Sequence, residues 1–326
     1  MPVYRVKIIG TGRIAGIKDD PLSDPNVAYT HAKAIHLHSG FKLIGACDQN
    51  QQKAETFGEK WNIRTISQSV SKLLDTEPAD VIVVCSPTDC HFEQLKEVIT
   101  CKQPPRIIFV EKPACEDNIQ YDEILSLCQS QQVEVLVNHS RRFDPAFRNV
   151  AELIQSGELG NLIHGRGTYY GGILNNGVHM VDTIRLLLGQ EPVVLGAQKQ
   201  LYRRNEDICV DFRLGFECGE IELTTFNEEY YQLFELELRF ERGRASFRDF
   251  GAEINLEKPV KNILGELELK PVTEYSCKAL GKPFYHAFDQ MYQHLEGKSH
   301  LKNTGALLSD AGASMKNIWD AMSMSS

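Results

Sequence analysis

Apolar positions in residues 1–139 fall into short, nearly continuous runs, VKIIG, FKLIGACD, VIVVCSP, RIIFVEKP and VEVLVNHS, with helical stretches between them. A strand that is apolar on both faces is covered on both faces, as in a parallel sheet wrapped by helices. Residues 1–139 therefore read as a doubly wound parallel α/β domain. Beyond Phe143 the period changes. Phe147, Val150, Leu153 and Ile154 recur at helical spacing between Pro145 and Gly157, where the glycine marks a stop. Ile208, Val210, Phe212, Leu214 and Phe216, then Phe234, Leu236, Leu238 and Phe240, alternate with polar or small residues, the pattern of an antiparallel sheet with one buried face. Leu307, Met315, Ile318, Trp319 and Met322 give the last helix an apolar side. Residues 140–326 are thus predicted to form an α+β domain. A ligand crevice is expected at the carboxyl ends of the first sheet's strands, facing that second domain.

Composition adds exclusions. The 326 residues suit two domains, and 42% hydrophobic with 24% charged residues is an ordinary soluble composition. Lys plus Arg number 35 against 44 Asp plus Glu, and the net charge of −9 argues against general nucleic-acid binding. No apolar run reaches the roughly 18 to 20 residues that span a bilayer. MPVYRVKIIG passes straight into a strand without a secretory leader, so a cytoplasmic location is expected. Nine scattered cysteines without a CxxC point to reduced thiols and no metal site.

Strand VKIIG runs into GTGRIA, in which Gly10, Gly12 and Ala15 satisfy GxGxxG/A, with Arg13 and Ile14 between them. Glycines there let the backbone turn tightly and approach a pyrophosphate, although such a triplet alone also fits a plain glycine-rich turn. The next strand ends at Asp48, whose carboxylate can accept hydrogen bonds from ribose hydroxyls and repel a 2′-phosphate, pointing to NAD rather than NADP. The separation from Gly10 exceeds the usual value of about 20 residues. A polar segment, KDDPLSDPNVAYT, is inserted ahead of the helix carrying Ala32, Ala34 and Ile35. VIVVCSPTDCH ends in Ser86, Pro87 and Thr88 before a helix with His91. These are crevice candidates, with N-capping by Thr88 and a solvated His91 as equal alternatives.

GTGRIA, CSPTDCH, VEKP at Val110 to Pro113, NHSRRFDP at Asn138 to Pro145 and GGILNNGVHMVD at Gly171 to Asp182 follow one another in the order of one family. Over nearly its whole length the chain resembles the glucose-fructose oxidoreductase and inositol dehydrogenase family, Gfo/Idh/MocA. The resemblance implies an N-terminal Rossmann domain and a C-terminal domain with a large open antiparallel sheet. It also implies homodimers or homotetramers formed through that sheet, whose polar face carries Glu235, Glu237 and Arg239. The implied activity is NAD(P)-dependent oxidation or reduction of a sugar, polyol or nucleotide-linked sugar hydroxyl.

Hydride transfer from a carbinol carbon requires a group that takes the hydroxyl proton. The resemblance places the catalytic lysine at Lys112, beside Glu111 at the cofactor, with Lys112–Pro113 expected to be cis. The ammonium can stabilise a developing alkoxide. His179 is the candidate acid and base, because imidazole titrates near neutrality. Many family members carry Asp where this chain has Asn175, and an amide orients a hydroxyl without taking its proton. Asn176, Arg142 and Arg166 are further substrate candidates, the arginines because a guanidinium fork matches an oxyanion. Asp182 either steers the His179 ring or packs its helix. Asn175 also motivates an alternative, a non-catalytic NAD(H)-responsive regulatory or partner-binding protein that retained the fold.

Overall fold

The computed structural model describes residues 2–204 and 206–325. The chain divides into two compact units, Met1–Phe143 with Gly281–Gly312, and Asp144–Leu280 with Ala313–Ser326. In the first unit the elements alternate as β1 (Tyr4–Ile9), α1 (His31–Leu37), β2 (Phe41–Cys47), α2 (Gln51–Trp61), β3 (Thr65–Ser67), α3 (Val70–Leu74), β4 (Val81–Val84), α4 (Thr88–Ile99), β5 (Ile107–Val110), α5 (Asn118–Gln131) and β6 (Glu134–Val137). Their strands form a six-stranded sheet in the order β3-β2-β1-β4-β5-β6, parallel throughout. Every residue of β4 and β5 is buried, the reason those strands are continuously apolar in sequence. The strand order reverses between β1 and β4, and the carboxyl ends of these two strands define the switch point where such sheets take ligands.

The inserted segment Lys18–Thr30 has a local anchor. Lys33 on α1 is fully buried, and its ammonium donates to the carbonyl oxygens of Asp20 (2.8 Å), Pro21 (3.0 Å) and Ser23 (2.9 Å). All three ammonium protons are used, which offsets the cost of burying the charge. Asp19 adds a bond from the Tyr29 N–H at 2.8 Å.

The second unit contains α6 (Pro145–Gln155), β7 (Leu162–Tyr170), α7 (Val178–Leu188), β8 (Val193–Arg204), β9 (Asp207–Gly215), β10 (Glu220–Phe226), β11 (Glu235–Phe240), β12 (Gly243–Arg248), β13 (Glu253–Lys261), β14 (Leu267–Pro271) and β15 (Cys277–Lys278). Asp144 caps α6 by accepting from the Ala146 and Phe147 N–H groups, and Gly157, at φ +77°, lies just beyond its end. Among the described residues the sheet has nine strands, in the order β14-β13-β12-β11-β7-β10-β9-β8 with β15 on β13. The alternating residues Val210, Phe212, Leu214, Leu236, Leu238 and Phe240 are buried, as their spacing predicts. Helices cover that face: Phe147 of α6 stacks on Phe247 of β12 at 5.4 Å, and Gly167 of β7 leaves room for Met180 of α7.

Two features add detail to the expectations. The sheet is not wholly antiparallel, because β7 and β10 pair in parallel; alternation records which face is buried and is blind to a neighbour's direction. The division at 139/140 also differs for Gly281–Gly312, which group with the first unit. The helix α8 (Pro283–Leu295) returns to the first unit, where Phe284, Ala287, Phe288 and Met291 join its core, and α9 (Leu308–Met324) belongs to that unit up to Gly312. The apolar stripe on α8 announces burial without naming the sheet it covers.

Lys33→Met retains the aliphatic stem and removes the three donors. It should destabilise the inserted segment by about 2 to 4 kcal/mol, the cost of orphaning carbonyls bonded to a charged group. Amide exchange should accelerate across residues 18–30 while the strands of the sheet keep their protection.

Candidate active site

At the switch point the backbone of β1 turns against that of β4. Gly10 has φ +84°, and a Cβ there would lie 2.6 Å from the Ser86 nitrogen and 2.8 Å from the Cys85 carbonyl carbon, so only glycine fits. Gly12 is the opposite case: a Cβ would meet nothing within 4 Å, leaving open space beside the turn. A single wide helical turn, Arg13–Ile17, follows, closed by the Lys18 N–H on the Arg13 carbonyl, with Ala15 buried, Ile14 half-buried and Arg13 exposed.

Asp48 is tied to this turn. Its Oδ2 accepts from both the N–H and the Oγ1 of Thr11 at 2.9 Å, and its Oδ1 accepts from the Asn50 N–H at 2.9 Å. A carboxylate offers about four acceptor positions, so one remains for a hydroxyl. Gly10, Gly12, Asp48, Ser86 and Pro87 line a cleft of about 660 Å³ together with Glu97, whose carboxyl burial pushes up in pKa. The Ser86 hydroxyl is held by Gln94. An open glycine, a carboxylate with one acceptor to spare and a cleft of this size fit the ribose and pyrophosphate of a dinucleotide.

His91 departs from expectation. It is neither a cleft residue nor solvated but buried, with Nδ1 2.8 Å from the Pro113 carbonyl and Nε2 2.8 Å from the Ser86 carbonyl. The ring is a strut between the turn after β4 and the turn after β5, and it acts on the cleft through those backbones. Thr88 begins α4 and provides no cap, since Pro87 occupies that position.

Glu111 and Lys112 follow β5, and the Lys112–Pro113 bond is cis. Glu111 Oε1 is bonded by His31 Nε2 at 2.8 Å and by Asn138 Nδ2 at 2.7 Å. Burial pushes the Glu111 carboxyl up in pKa, but His31, Asn138 and the nearby Lys112 charge together outweigh it and hold the group below its ordinary value. The anion beside Lys112 is thus kept ionised. Arg142 is buried in the first unit, its guanidinium packed where a Cβ on Gly305 would stand 2.5 Å from Nη1. It is therefore enclosed by its own chain and not an exposed guanidinium fork.

In the second unit the segment after β7 forms another wide turn, Ile173–Gly177, leading directly into α7. Asp207, at the start of β9, organises it. Oδ1 accepts from the Leu174 N–H at 3.0 Å and Oδ2 from the Asn175 N–H at 2.8 Å. Gly172 is required beside it, since a Cβ would lie 1.9 Å from the Asp207 carboxyl carbon. Sequence reasoning missed Asp207; the one signal was a carboxylate at the head of an alternating strand. Asn176 is turned back, its Nδ2 donating to the Tyr170 carbonyl at 2.9 Å. His179 is half-buried in the first turn of α7, where its carbonyl accepts from the Thr183 hydroxyl at 2.6 Å.

Two substrate candidates are reassigned. Asp182 is 2% exposed and accepts from Ser314 Oγ at 2.9 Å, while Ser314 takes Arg185 Nη1 at 2.6 Å, so the carboxylate braces α7 from within. Arg166 is 68% exposed on the open face of the sheet and faces Glu222 of β10 at 3.6 Å. Strand alternation puts it on the opposite side from the buried residues of β7. Among the described residues no cluster of three metal-ligating side chains occurs, and no helix is long and apolar enough to cross a membrane.

Residues 4–139 match GFO_IDH_MocA, an oxidoreductase family with an NAD-binding Rossmann fold. Inositol 2-dehydrogenase of Rhizobium meliloti (strain 1021) is 27% identical over 209 residues, covering 59% of this chain and 57% of that protein. The chain thus spans just over half the length of the curated relatives it matches, 53% and 57% for two of them. Among solved structures, a putative NADPH-dependent oxidoreductase from Desulfitobacterium hafniense superimposes with a TM-score of 0.81 at 18% identity, over 99% of this chain and 96% of that one. KijD10, a 3-ketoreductase from Actinomadura kijaniata in complex with TDP-benzene and NADP, gives 0.78 at 16% identity, over 99% and 98%. At such identities these two likenesses show the fold. The family match falls on the domain that holds the Gly10 turn and Asp48, so residues 4–139 are similar to the NAD-binding Rossmann fold of that oxidoreductase family.

Proposed function

We propose that this protein is an NAD-dependent oxidoreductase that transfers hydride between nicotinamide and a hydroxyl or keto carbon of a sugar, polyol or nucleotide-linked sugar. The observation that carries the reading is the switch-point turn, where Gly12 leaves room for a phosphate and Asp48 keeps an acceptor for a ribose hydroxyl. Bound NAD supplies the hydride acceptor or donor. The chain's part is to bind it at Gly10, Gly12 and Asp48, and to handle the proton. Lys112 stabilises negative charge on the substrate oxygen, with the Glu111 anion keeping its surroundings favourable to an ammonium. His179 takes or returns the proton, and Asn175, held by Asp207 through its backbone, orients the hydroxyl. The inositol dehydrogenase and 3-ketoreductase relatives support a polyol or sugar substrate.

The same reading places the enzyme in the cytoplasm as a homo-oligomer. All nine cysteines are free thiols, and burial pushes Cys47 and Cys128 up to about 11 and Cys115 to about 12, which keeps those thiols neutral and unreactive there. Asn175 favours the second reading, a cofactor-responsive protein without turnover.

Calorimetric titration of ligand-free protein with NADH and NADPH is the first test. NADH should bind at least tenfold tighter, about 1.4 kcal/mol, and Asp48→Ala should erase most of the difference. Equal affinities remove Asp48 from its role, and binding of neither cofactor sinks the proposal. In a substrate screen, His179→Ala should lower turnover by about 10² to 10⁴ with NADH affinity unchanged. An inactive parent that Asn175→Asp makes active would show that the amide silences the site.

Asp207→Ala leaves the Leu174 and Asn175 N–H groups without their acceptor. It should cost about 1 to 3 kcal/mol locally. Exchange should rise at residues 174–177, and KM should rise more than kcat falls if Asn175 orients the substrate.

A further inference from the structure

His31 lies outside the glycine turn and the EKP segment, yet it bonds the residue beside Lys112. It is the first residue of α1 and is fully buried. Its ring stands edge-on to Phe109 of β5 at 5.1 Å and to Phe284 and Phe288 of α8 at 4.6 and 6.3 Å. Within this apolar enclosure the two ring nitrogens differ. Nε2 is 2.8 Å from Glu111 Oε1, whereas Nδ1 is buried with no hydrogen-bond partner among the described residues. A proton on Nδ1 would be a buried donor without an acceptor. The ring therefore carries its one proton on Nε2 and donates it to the carboxylate as a neutral group.

Asn138, just after β6, donates from Nδ2 to the same oxygen at 2.7 Å. Two donors from different elements thus converge on Oε1, which fixes the carboxyl plane and leaves Oε2 outside the pair. The Glu111 side chain keeps 14% of its surface exposed, so the group is closed on the His31 side without being sealed altogether. The other ionisable groups that feel its charge are Lys112 on its own segment and the Cys85 thiol after β4. Cys85 is held well above its ordinary pKa by burial and then by the Glu111 charge, and it lines the cleft with Gly10 and Gly12. Burial alone drives a carboxyl towards its neutral form, and a neutral Glu111 would leave the Lys112 ammonium without the anion next to it. The donors on Oε1 are what oppose that outcome.

We propose that His31 is a positioning residue for the hydride-transfer site: as a neutral Nε2–H donor it holds Glu111 Oε1, so that the Glu111 anion stands beside Lys112 and keeps the lysine an ammonium. This rests on the reading of Lys112 as the catalytic group and adds the residue, on another helix, that sets its charge. Competitive acylation of the full chain with trace acetic anhydride, from about pH 6 to 11, tests it, with the Lys112 peptide quantified by mass spectrometry. The plateau of the labelling curve reports access and its midpoint reports ionisation. Glu111→Gln should lower the Lys112 midpoint by about one pH unit, a tenfold gain in free amine at a fixed pH below it. His31→Met and His31→Phe keep the space filled and remove the donor, and whichever folds by circular dichroism should give the same shift. His31→Gln places an amide N–H where Nε2 stands and should keep the free amine within about twofold of the parent. A midpoint that Glu111→Gln or the folded apolar variant leaves in place overturns the proposal. So does a His31→Gln midpoint that falls as far as the apolar one, since a neutral donor would then not suffice. Neither cofactor nor substrate takes part in the labelling, so a failure of NADH to bind sinks the proposed function without changing this result.

Discussion

The first unit depends on one close approach of backbone to backbone. At the end of β1 the chain must reverse with Gly10 pressed against Cys85 and Ser86, a space closed to any side chain and a φ of +84° closed to most residues. That approach sets the glycine turn at the switch point of the sheet, and the Thr11 bonds to Asp48 follow from it. The Asp48 carboxylate is therefore a strut of the turn. His91 supplies the second brace, bridging the turn after β4 to the cis peptide that carries Lys112. The cleft at the switch point and the turn bearing Lys112 thus share one framework of backbone contacts.

The second unit solves a similar problem with different parts. Here a wide turn must present Asn175 and Asn176 just before α7, and its amides find their acceptor in Asp207, from a strand that follows later in the chain. Gly172 exists for that carboxylate. Below the turn, Asp182, Ser314 and Arg185 fix α7 with a buried polar network, in which Arg185 donates to Ser314 at 2.6 Å and Ser314 donates to Asp182 at 2.9 Å. The departure at Asn175 is thus a change of side-chain chemistry on a backbone that is still held.

Much of this was legible residue by residue. β1, β2, β4, β5 and β6 coincide with the apolar runs because strands buried on both faces leave no other pattern. The inserted segment and the helix after it were visible from the mismatch between Gly10 and Asp48. β3, of three half-buried residues, left no pattern to read. His91 escapes a reading of the sequence because a histidine early in a helix looks the same whether it faces solvent or two carbonyls. Arg166 and Arg142 carried the right chemistry for an oxyanion, yet one lies on the open face of a sheet and the other inside a core.

The sequence by itself determined the α/β class, the glycine turn, the acid at the end of β2, the lysine after β5 and the GVH start of α7. Each of these is a local statement, fixed by periodicity or by residue types within a few positions. Only the tertiary structure decided that α8 returns to the first unit, that β7 and β10 run parallel, that Asp182 points inward, and that Asp207 holds the turn bearing Asn175. Those depend on which distant residue fills the remaining hydrogen bond or the remaining space. Nothing in a single chain's local pattern encodes that choice.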